Sequence, residues 1–278
     1  MDMKRRNFLK LAGLSAIAGV GAPTAFKGLL NLAPGEAMAS SSHEEGMESS
    51  EKKTGKRLGM VIDIRKFTEI PGLAQKCITA CHTTHNVPDY GNKKDEIKWL
   101  WLDNYEHSFP EHSQYKRNNA VEEMKILLAC NHCDDPPCVR ACPTQATFKM
   151  PNGVVAMDYH RCIGCRFCMA ACPYGARSFN WRDPRGKDKN GRDFINRATM
   201  NVDFPTRMRG VVEKCNFCVE RISYGLLPAC VEATGDTGAM IFGDLNDENS
   251  EISRVLRTTF TIQRKPSAGT HPSLFYII

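Results

Sequence analysis

Thirteen cysteines fall along this 278-residue chain in spaced runs, and that spacing constrains the fold more than any other feature. Cys162, Cys165, Cys168 and Cys172, followed by Pro173, read C-x2-C-x2-C-x3-C-P without deviation. Cys130, Cys133, Cys138 and Cys142, followed by Pro143, repeat that run with the middle gap widened to four residues. Cys215, Cys218 and Cys230 keep the leading pair and then wait eleven residues for the next thiol. Cys77 and Cys81 stand where the tail of a fourth run would be. A tight loop of this kind presents three thiolates to one metal centre and sends the fourth to a neighbour, which is the spacing of iron–sulfur cubanes.

In two-cluster ferredoxins the fourth cysteine of each run ligates the other cluster, so the runs are paired before clusters are counted. The two complete runs pair cleanly: one [4Fe–4S] cluster takes Cys130, Cys133, Cys138 and Cys172, and its neighbour takes Cys162, Cys165, Cys168 and Cys142. Among the outer segments, Cys215, Cys218 and Cys230 need a fourth ligand, and Cys81 holds the matching position. The reciprocal cluster would have only Cys77, with Phe67, Ile70 and Thr234 where its other thiolates are expected. Phenyl, butyl and hydroxyl groups do not replace thiolate on soft iron. The expectation is three [4Fe–4S] clusters, twelve ligands and one spare thiol, Cys77.

The same cysteines admit other readings. C-x2-C pairs also build structural zinc sites, although two four-cysteine runs closed by Cys-Pro argue against zinc there. Disulfides would suit an exported chain, but thirteen is odd and adjacent C-x2-C pairs are awkward to bridge. Cys77-Ile78-Thr79-Ala80-Cys81-His82 resembles a c-type haem site with one residue too many. Haem there would strip Cys81 from the outer cluster. His132, inside Cys130-x2-Cys133, reads as a loop residue hydrogen-bonding near the cluster sulfurs. His85 and His112 have no partner at ligand spacing and read as surface or packing residues.

Residues 1–39 have the form of a targeting segment. Lys4-Arg5-Arg6-Asn7-Phe8-Leu9-Lys10 begins a twin-arginine signal, an uncharged stretch follows, and Ala37-Met38-Ala39 offers a cleavage site. The expected destination is the periplasm, with the clusters inserted before a folded chain crosses the membrane. Removing these residues takes the formal charge from +6 to +3. Each four-thiolate cubane carries about −2 when oxidised, which brings the loaded protein to about −3. The basic pI is therefore no evidence for nucleic acid, and no like-charge run or aromatic–basic interleaving supports that partner.

Residues 40–56, rich in Ser, Glu and Lys, read as a flexible linker. Residues 57–278 suffice for one α+β unit of two ferredoxin-like halves, of the bacterial dicluster type, with loop-rich insertions. Strands are expected at Leu58 to Ile64 and Ala239 to Phe242, and a hairpin over Thr147 to Met157 turns at Pro151-Asn152-Gly153. Ile97 to Leu102 reads as an alternating aromatic strand packing in the core. Between Arg177 and Arg209 lie nine basic and four acidic residues, Arg182, Arg185, Arg192 and Arg197 among them. That stretch reads either as a solvated loop or as a surface docking on a partner or on phospholipid headgroups.

With these residues in view, the chain resembles the polyferredoxin subunits of membrane-bound oxidoreductases. The resemblance covers nearly everything after residue 57. It rests on Asp63-Ile64-Arg65-Lys66, Asn86-Val87-Pro88, the two Cys-Pro runs, Lys214-Cys215-Asn216-Phe217-Cys218, Pro228-Ala229-Cys230 and Phe242-Gly243-Asp244-Leu245-Asn246. Within that group the Cys77-to-Cys81 ending, Tyr105-Glu106-His107 and the segment from Arg161 to Cys172 are most similar to periplasmic subunits of sulfur-metabolism complexes. The resemblance implies an electron-transfer subunit, not a catalytic one, passing single electrons through three clusters. Its implied partners are a quinone-interacting integral membrane subunit, a multihaem cytochrome c subunit and a cytoplasm-facing iron–sulfur module, in the service of sulfite reduction. A subunit of another quinone-linked oxidoreductase (nitrite, polysulfide or hydrogenase type) is the alternative within the family. A self-sufficient oxyanion reductase is the alternative outside it. That enzyme needs an open-site iron, sirohaem or molybdenum, and all twelve proposed ligand positions are Cys.

Overall fold

The computed structural model describes residues 55–112, 121 and 124–278. The targeting segment of residues 1–39 and the linker through Thr54 lie outside the described residues. The fold is α+β, with small sheets and short helices set around the cysteine runs.

Strand β1 (Leu58–Asp63) has every residue buried and runs through the middle of a four-stranded sheet. Its apolar, β-branched sequence suits a position with neighbours on both sides. It pairs antiparallel with Met240–Asp244 and parallel with Leu274–Ile277, so Met60 faces both Phe242 and Leu274. Thr261–Ile262 closes the sheet beyond Leu274–Ile277. The expected strands at 58 and 240 are thus both present and adjacent.

Asp63 ends β1 and caps helix α1 (Ile64–Glu69), its Oδ1 accepting from the backbone N–H of Arg65 at 3.0 Å. Gly72, at φ 80°, turns the chain into helix α2 (Leu73–Thr84). Leu73, Cys77 and Cys81 repeat at every fourth position and form its buried face. The two cysteines are therefore carried by a helix, one turn apart.

Strands β2 (Leu100–Asn104) and β3 (Lys125–Ala129) pair antiparallel, and Cys130 follows directly from the end of β3. The strand expected at Ile97 begins only at Leu100. Alternation also fails, because Trp99, Leu100 and Trp101 are all buried. Fully burying side chains of this size contributes ~1.5–3 kcal/mol each. Phe109 joins this core, packing on Tyr105 and edge-on to Tyr276, each with ring centroids 5.2 Å apart.

Strands β4 (Thr147–Lys149) and β5 (Val155–Met157) form the expected hairpin, with Thr147 opposite Met157. Gly153 sits at its turn with φ 81°, and Asn152 O accepts from Leu58 N at 2.9 Å, tying the hairpin to β1. Strands β6 (Ser178–Phe179) and β7 (Val212–Glu213) pair around the long basic insertion and lead straight into Cys215. Among the described residues no helix is long and apolar enough to cross a membrane.

Candidate metal centres

The C-x2-C loops share a backbone device. In the leading C-x2-C loop of each run the residue before the second cysteine is left-handed: His132 at φ 40°, Gly164 at φ 71° and Phe217 at φ 56°. Only glycine adopts this conformation without steric cost, so the tight turn is held by its surroundings at His132 and Phe217. The ring of His132 stacks on Phe217 at 3.6 Å, which binds two of the loops to each other. Its Nδ1 accepts from Val155 N at 3.1 Å, so its hydrogen bond goes to the backbone beside the Cys130–Cys133 loop.

The first cage gathers Cys130, Cys133, Cys138 and Cys172 around one cavity, with Tyr174 and Arg177 in its wall. Cys138 rides on the helical turn Pro137–Arg140, and Cys172 ends the helix Phe167–Ala171. Burial pushes the Cys133 thiol up to about 12, with Cys130, Cys138 and Cys172 adding to the shift. Burial likewise raises Cys172, with Cys130 the leading neighbour. The second cage gathers Cys142, Cys162, Cys165 and Cys168 around a separate cavity. There Val212 N donates to Cys162 Sγ at 3.5 Å.

The third cage is made by parts of the chain far apart in sequence. Cys81 is fully enclosed, and its thiol is raised first by burial and then by Cys230, Cys215 and Cys218. Cys230 lies on the turn Ala229–Glu232, raised by burial and by Cys218, Cys215 and Cys77. Burial and the neighbouring Cys130 hold Cys215 up at about 12. Ala229 N donates to Cys218 Sγ at 3.3 Å and Phe217 N to Cys215 Sγ at 3.5 Å. The thiol of Cys77 is also buried, pushed up to about 11, and borders this cage on the Cys230 side.

The structure thus brings together each expected ligand set, crossed pairing included. All thirteen cysteines are free thiols, so no disulfide competes for them. The haem-like segment turns Cys77 and Cys81 into the core, while His82 Nε2 contacts Leu100 O at 3.1 Å. At the positions of the missing reciprocal cluster stand Phe67, packed against the core, and Thr234, whose Oγ1 donates to Val231 O at 2.7 Å.

The donor sets suit iron–sulfur clusters. Four thiols crowd each cage, and soft thiolate selects Fe–S, Zn or Cu(I). Buried thiols held above their ordinary range need a cation to deprotonate them, which metal supplies. The Asn131 carboxamide, in the wall of the first cavity, has neither Nδ2 nor Oδ1 hydrogen-bonded. A sulfur-rich group in that cavity gives its Nδ2 an acceptor.

Sequence reasoning missed two residues beside the third cage. His85 is buried against Trp99, ring centroids 4.4 Å apart, with Nδ1 2.8 Å from Cys81 O and Nε2 2.7 Å from Glu220 Oε1. Burial raises the Glu220 carboxyl, but the contact with His85 outweighs it and leaves the pKa lowered. The available signal was spacing: His85 follows Cys81 by one helical turn, and Glu220 follows Cys218 by two residues. The side chain of His112 lies outside the described residues.

The basic insertion is largely satisfied within the protein. Arg182 pairs with Asp95 at 2.8 Å, Arg185 with Asp183 at 3.1 Å, Arg192 with Asp89 at 2.8 Å and Arg197 with Asp193 at 3.0 Å. These guanidiniums hold the loop to itself and to the segment after α2, which favours the solvated-loop reading over headgroup docking.

Comparison with known proteins agrees with the cages. The 4Fe–4S dicluster domain profile matches twice, over residues 124–188 and 182–245. The chain is 36% identical over 292 aligned positions to the Hdr-like menaquinol oxidoreductase iron–sulfur subunit 1 of Archaeoglobus fulgidus, covering 99% of this chain and 97% of that one. It is 35% identical over 244 positions to the iron–sulfur subunit of arsenate respiratory reductase from a Shewanella species, covering 80% and 96%. It is also 34% identical over 256 positions to the iron–sulfur cluster-binding subunit of menaquinone reductase from Nitratidesulfovibrio vulgaris, covering 82% and 91%.

Proposed function

Because this chain belongs to the family of iron–sulfur electron-transfer subunits of quinol-linked membrane oxidoreductases, we propose that it is a non-catalytic relay passing single electrons through three [4Fe–4S] clusters. It does so between a quinone-interacting integral membrane subunit and partner redox subunits, a multihaem cytochrome c among them. The complex is one of sulfur metabolism, serving sulfite reduction, and the chain is its DsrO-type subunit. On this reading residues 1–39 direct folded export by the twin-arginine route. Residues 40–56 are a linker, and residues 57–278 work in the periplasm, held at the membrane by the partners.

The observation that carries the reading is the crossed grouping of thiols. Cys172 joins Cys130, Cys133 and Cys138, Cys142 joins Cys162, Cys165 and Cys168, and Cys81 meets Cys215, Cys218 and Cys230. We assign these twelve residues as the cluster ligands and leave Cys77 outside the set. Bound clusters supply one-electron redox chemistry. The chain's part is to place them in a row. Cys130 is the neighbour that most raises Cys215, so the first and third cages adjoin there; Cys138 and Cys168 share one packed cluster, so the first and second cages adjoin there. The first cage is the middle of the row.

Iron and acid-labile sulfide per polypeptide, on protein purified without oxygen, test the reading. About twelve of each are expected. About eight would remove the third centre, and turnover of an oxyanion by the isolated subunit with a generic donor would replace the relay with an enzyme. Conversion of Arg5 and Arg6 to Lys should keep the protein out of the periplasmic fraction; unchanged export would remove the assigned location.

A further inference from the structure

Two cations are buried at the junctions between cages. Lys214 is 1% exposed, and its Nζ donates to Val155 O and, at 2.8 Å, to Cys215 O. The thiols that act on it are Cys130, Cys215 and Cys138, so it stands where the first and third cages meet. Arg177 is 5% exposed; its Nη2 donates to Cys138 Sγ at 3.0 Å and to Thr147 Oγ1 at 2.7 Å. The thiols around it are Cys138, Cys168 and Cys130, so it stands where the first and second cages meet. Among the described residues neither cation forms an ion pair with a carboxylate. A cation taken out of water without a counter-ion is costly, and burial and the nearby Arg177 both oppose the Lys214 charge; thiolate sulfur of bound clusters would offset that cost.

We propose that Lys214 and Arg177 are fixed positive charges that raise the reduction potential of the middle centre, held by Cys130, Cys133, Cys138 and Cys172. Cys130 and Cys138, both of this centre, are the thiols common to the two cations. The inference rests on the [4Fe–4S] occupancy proposed above. Reduction adds one electron and one negative charge to a centre, with no bond made or broken, and an adjacent cation in a low-dielectric interior favours the more negative state. Each outer centre borders one of the two cations and is raised less. The middle of the row therefore holds an electron more readily than its surroundings of sulfur alone allow, and both residues act through position and charge, not as ligands.

The test is an EPR-monitored redox titration of the full-length protein, purified without oxygen, with iron content measured on the same samples. Lys214→Gln removes the charge and keeps a donor, whereas Lys214→Arg keeps the charge; Arg177→Gln and Arg177→Lys do the same at the other junction. The expected result is unchanged iron, with the middle centre in each Gln variant at least tenfold less reduced at a fixed potential, about 59 mV for one electron. The charge-keeping variants should stay near the parent. Titration curves that overlay in the parent and Gln variants overturn the inference, as does an equal shift in the charge-keeping variants. If the Gln variants lose iron that the charge-keeping variants retain, the cations serve assembly and the inference is again overturned. Absence of cluster iron from the parent itself is a different failure, that of the [4Fe–4S] reading.

Discussion

Arg207 Nη2 meets Glu213 Oε2 at 2.7 Å, and neither side chain reaches solvent. The pair is a hub. Glu213 also accepts from Trp99 Nε1 at 2.9 Å, and Arg207 donates to Asn86 O at 2.9 Å and Pro205 O at 3.0 Å. It joins β7, which leads to Cys215, to the turn after α2, the helix that carries Cys81. The third cage is therefore aligned by an ion pair between residues that are not among its thiols.

Breaking that pair should be expensive. Glu213→Ala leaves a buried guanidinium without its counter-ion, a change that costs about 3–5 kcal/mol in comparable settings. Glu213→Gln, which keeps the acceptor for Trp99, should cost less. Denaturant unfolding of anaerobic protein measures both, and a loss below about 1 kcal/mol for the Ala variant would show that the hub carries little.

Cys81→Ala should remove about four iron atoms per chain by opening the cage with Cys215, Cys218 and Cys230. Cys77→Ala, one helical turn away, should leave the iron count unchanged. Iron analysis decides it: loss of iron in the Cys77 variant means the wrong thiol of α2 has been assigned.

Gly164→Ala should damage the second cage. At φ 71° the added Cβ would lie 2.3 Å from Gly210 O, a backbone atom, so the Cys162–Cys165 loop cannot keep its place. Gly191→Ala is the control, since φ there is 81° but nothing lies within 4 Å. Strain alone costs roughly 1–3 kcal/mol. The Gly164 variant should lose about four iron atoms and the Gly191 variant none; equal iron in the two would refute the steric argument.

Asp63 links stability to pH. Burial raises its carboxyl, but the Arg65 hydrogen bond and charge and the backbone N–H groups of Lys66 and Arg65 outweigh that, leaving its pKa below 3.8. A depressed carboxylate stabilises the fold above its unfolded value, near 3.9, and that contribution is lost as pH falls through the lower folded value. Asp63→Ala should cost about 1 kcal/mol of cap stability at pH 7. The difference between parent and variant should shrink on acidification below pH 4. A deficit that does not change with pH would mean the carboxylate charge contributes nothing.

Much of the fold was legible where the signal is local. Leu58 to Asp63 is a run of buried residues beside a capping aspartate, and the Pro151-Asn152-Gly153 turn announces its hairpin. Ile97 to Leu102 was legible as core packing, but its alternation was not kept, since Trp99, Leu100 and Trp101 are consecutive buried residues. Trp99 turns instead to Glu213, while Trp101 and Leu100 fill the core. For the basic insertion, sequence could not choose between its two readings. Composition counts charges but not partners, and Arg192 finds Asp89 across a long stretch of chain.

The spacing of cysteines by itself grouped the thiols that the structure brings together, because a C-x2-C loop is too short to offer its thiols to two centres. The same spacing marked Phe67, Ile70 and Thr234 as positions unable to hold iron. Tertiary structure decided the rest. It set the Cys130 cage beside each of the other two, the burial of Lys214 and Arg177 next to it, and the contact of His85 with Glu220. Those features come from packing segments far apart in sequence, where burial strengthens every charge and selects its neighbours, and no local pattern of residue types encodes that choice.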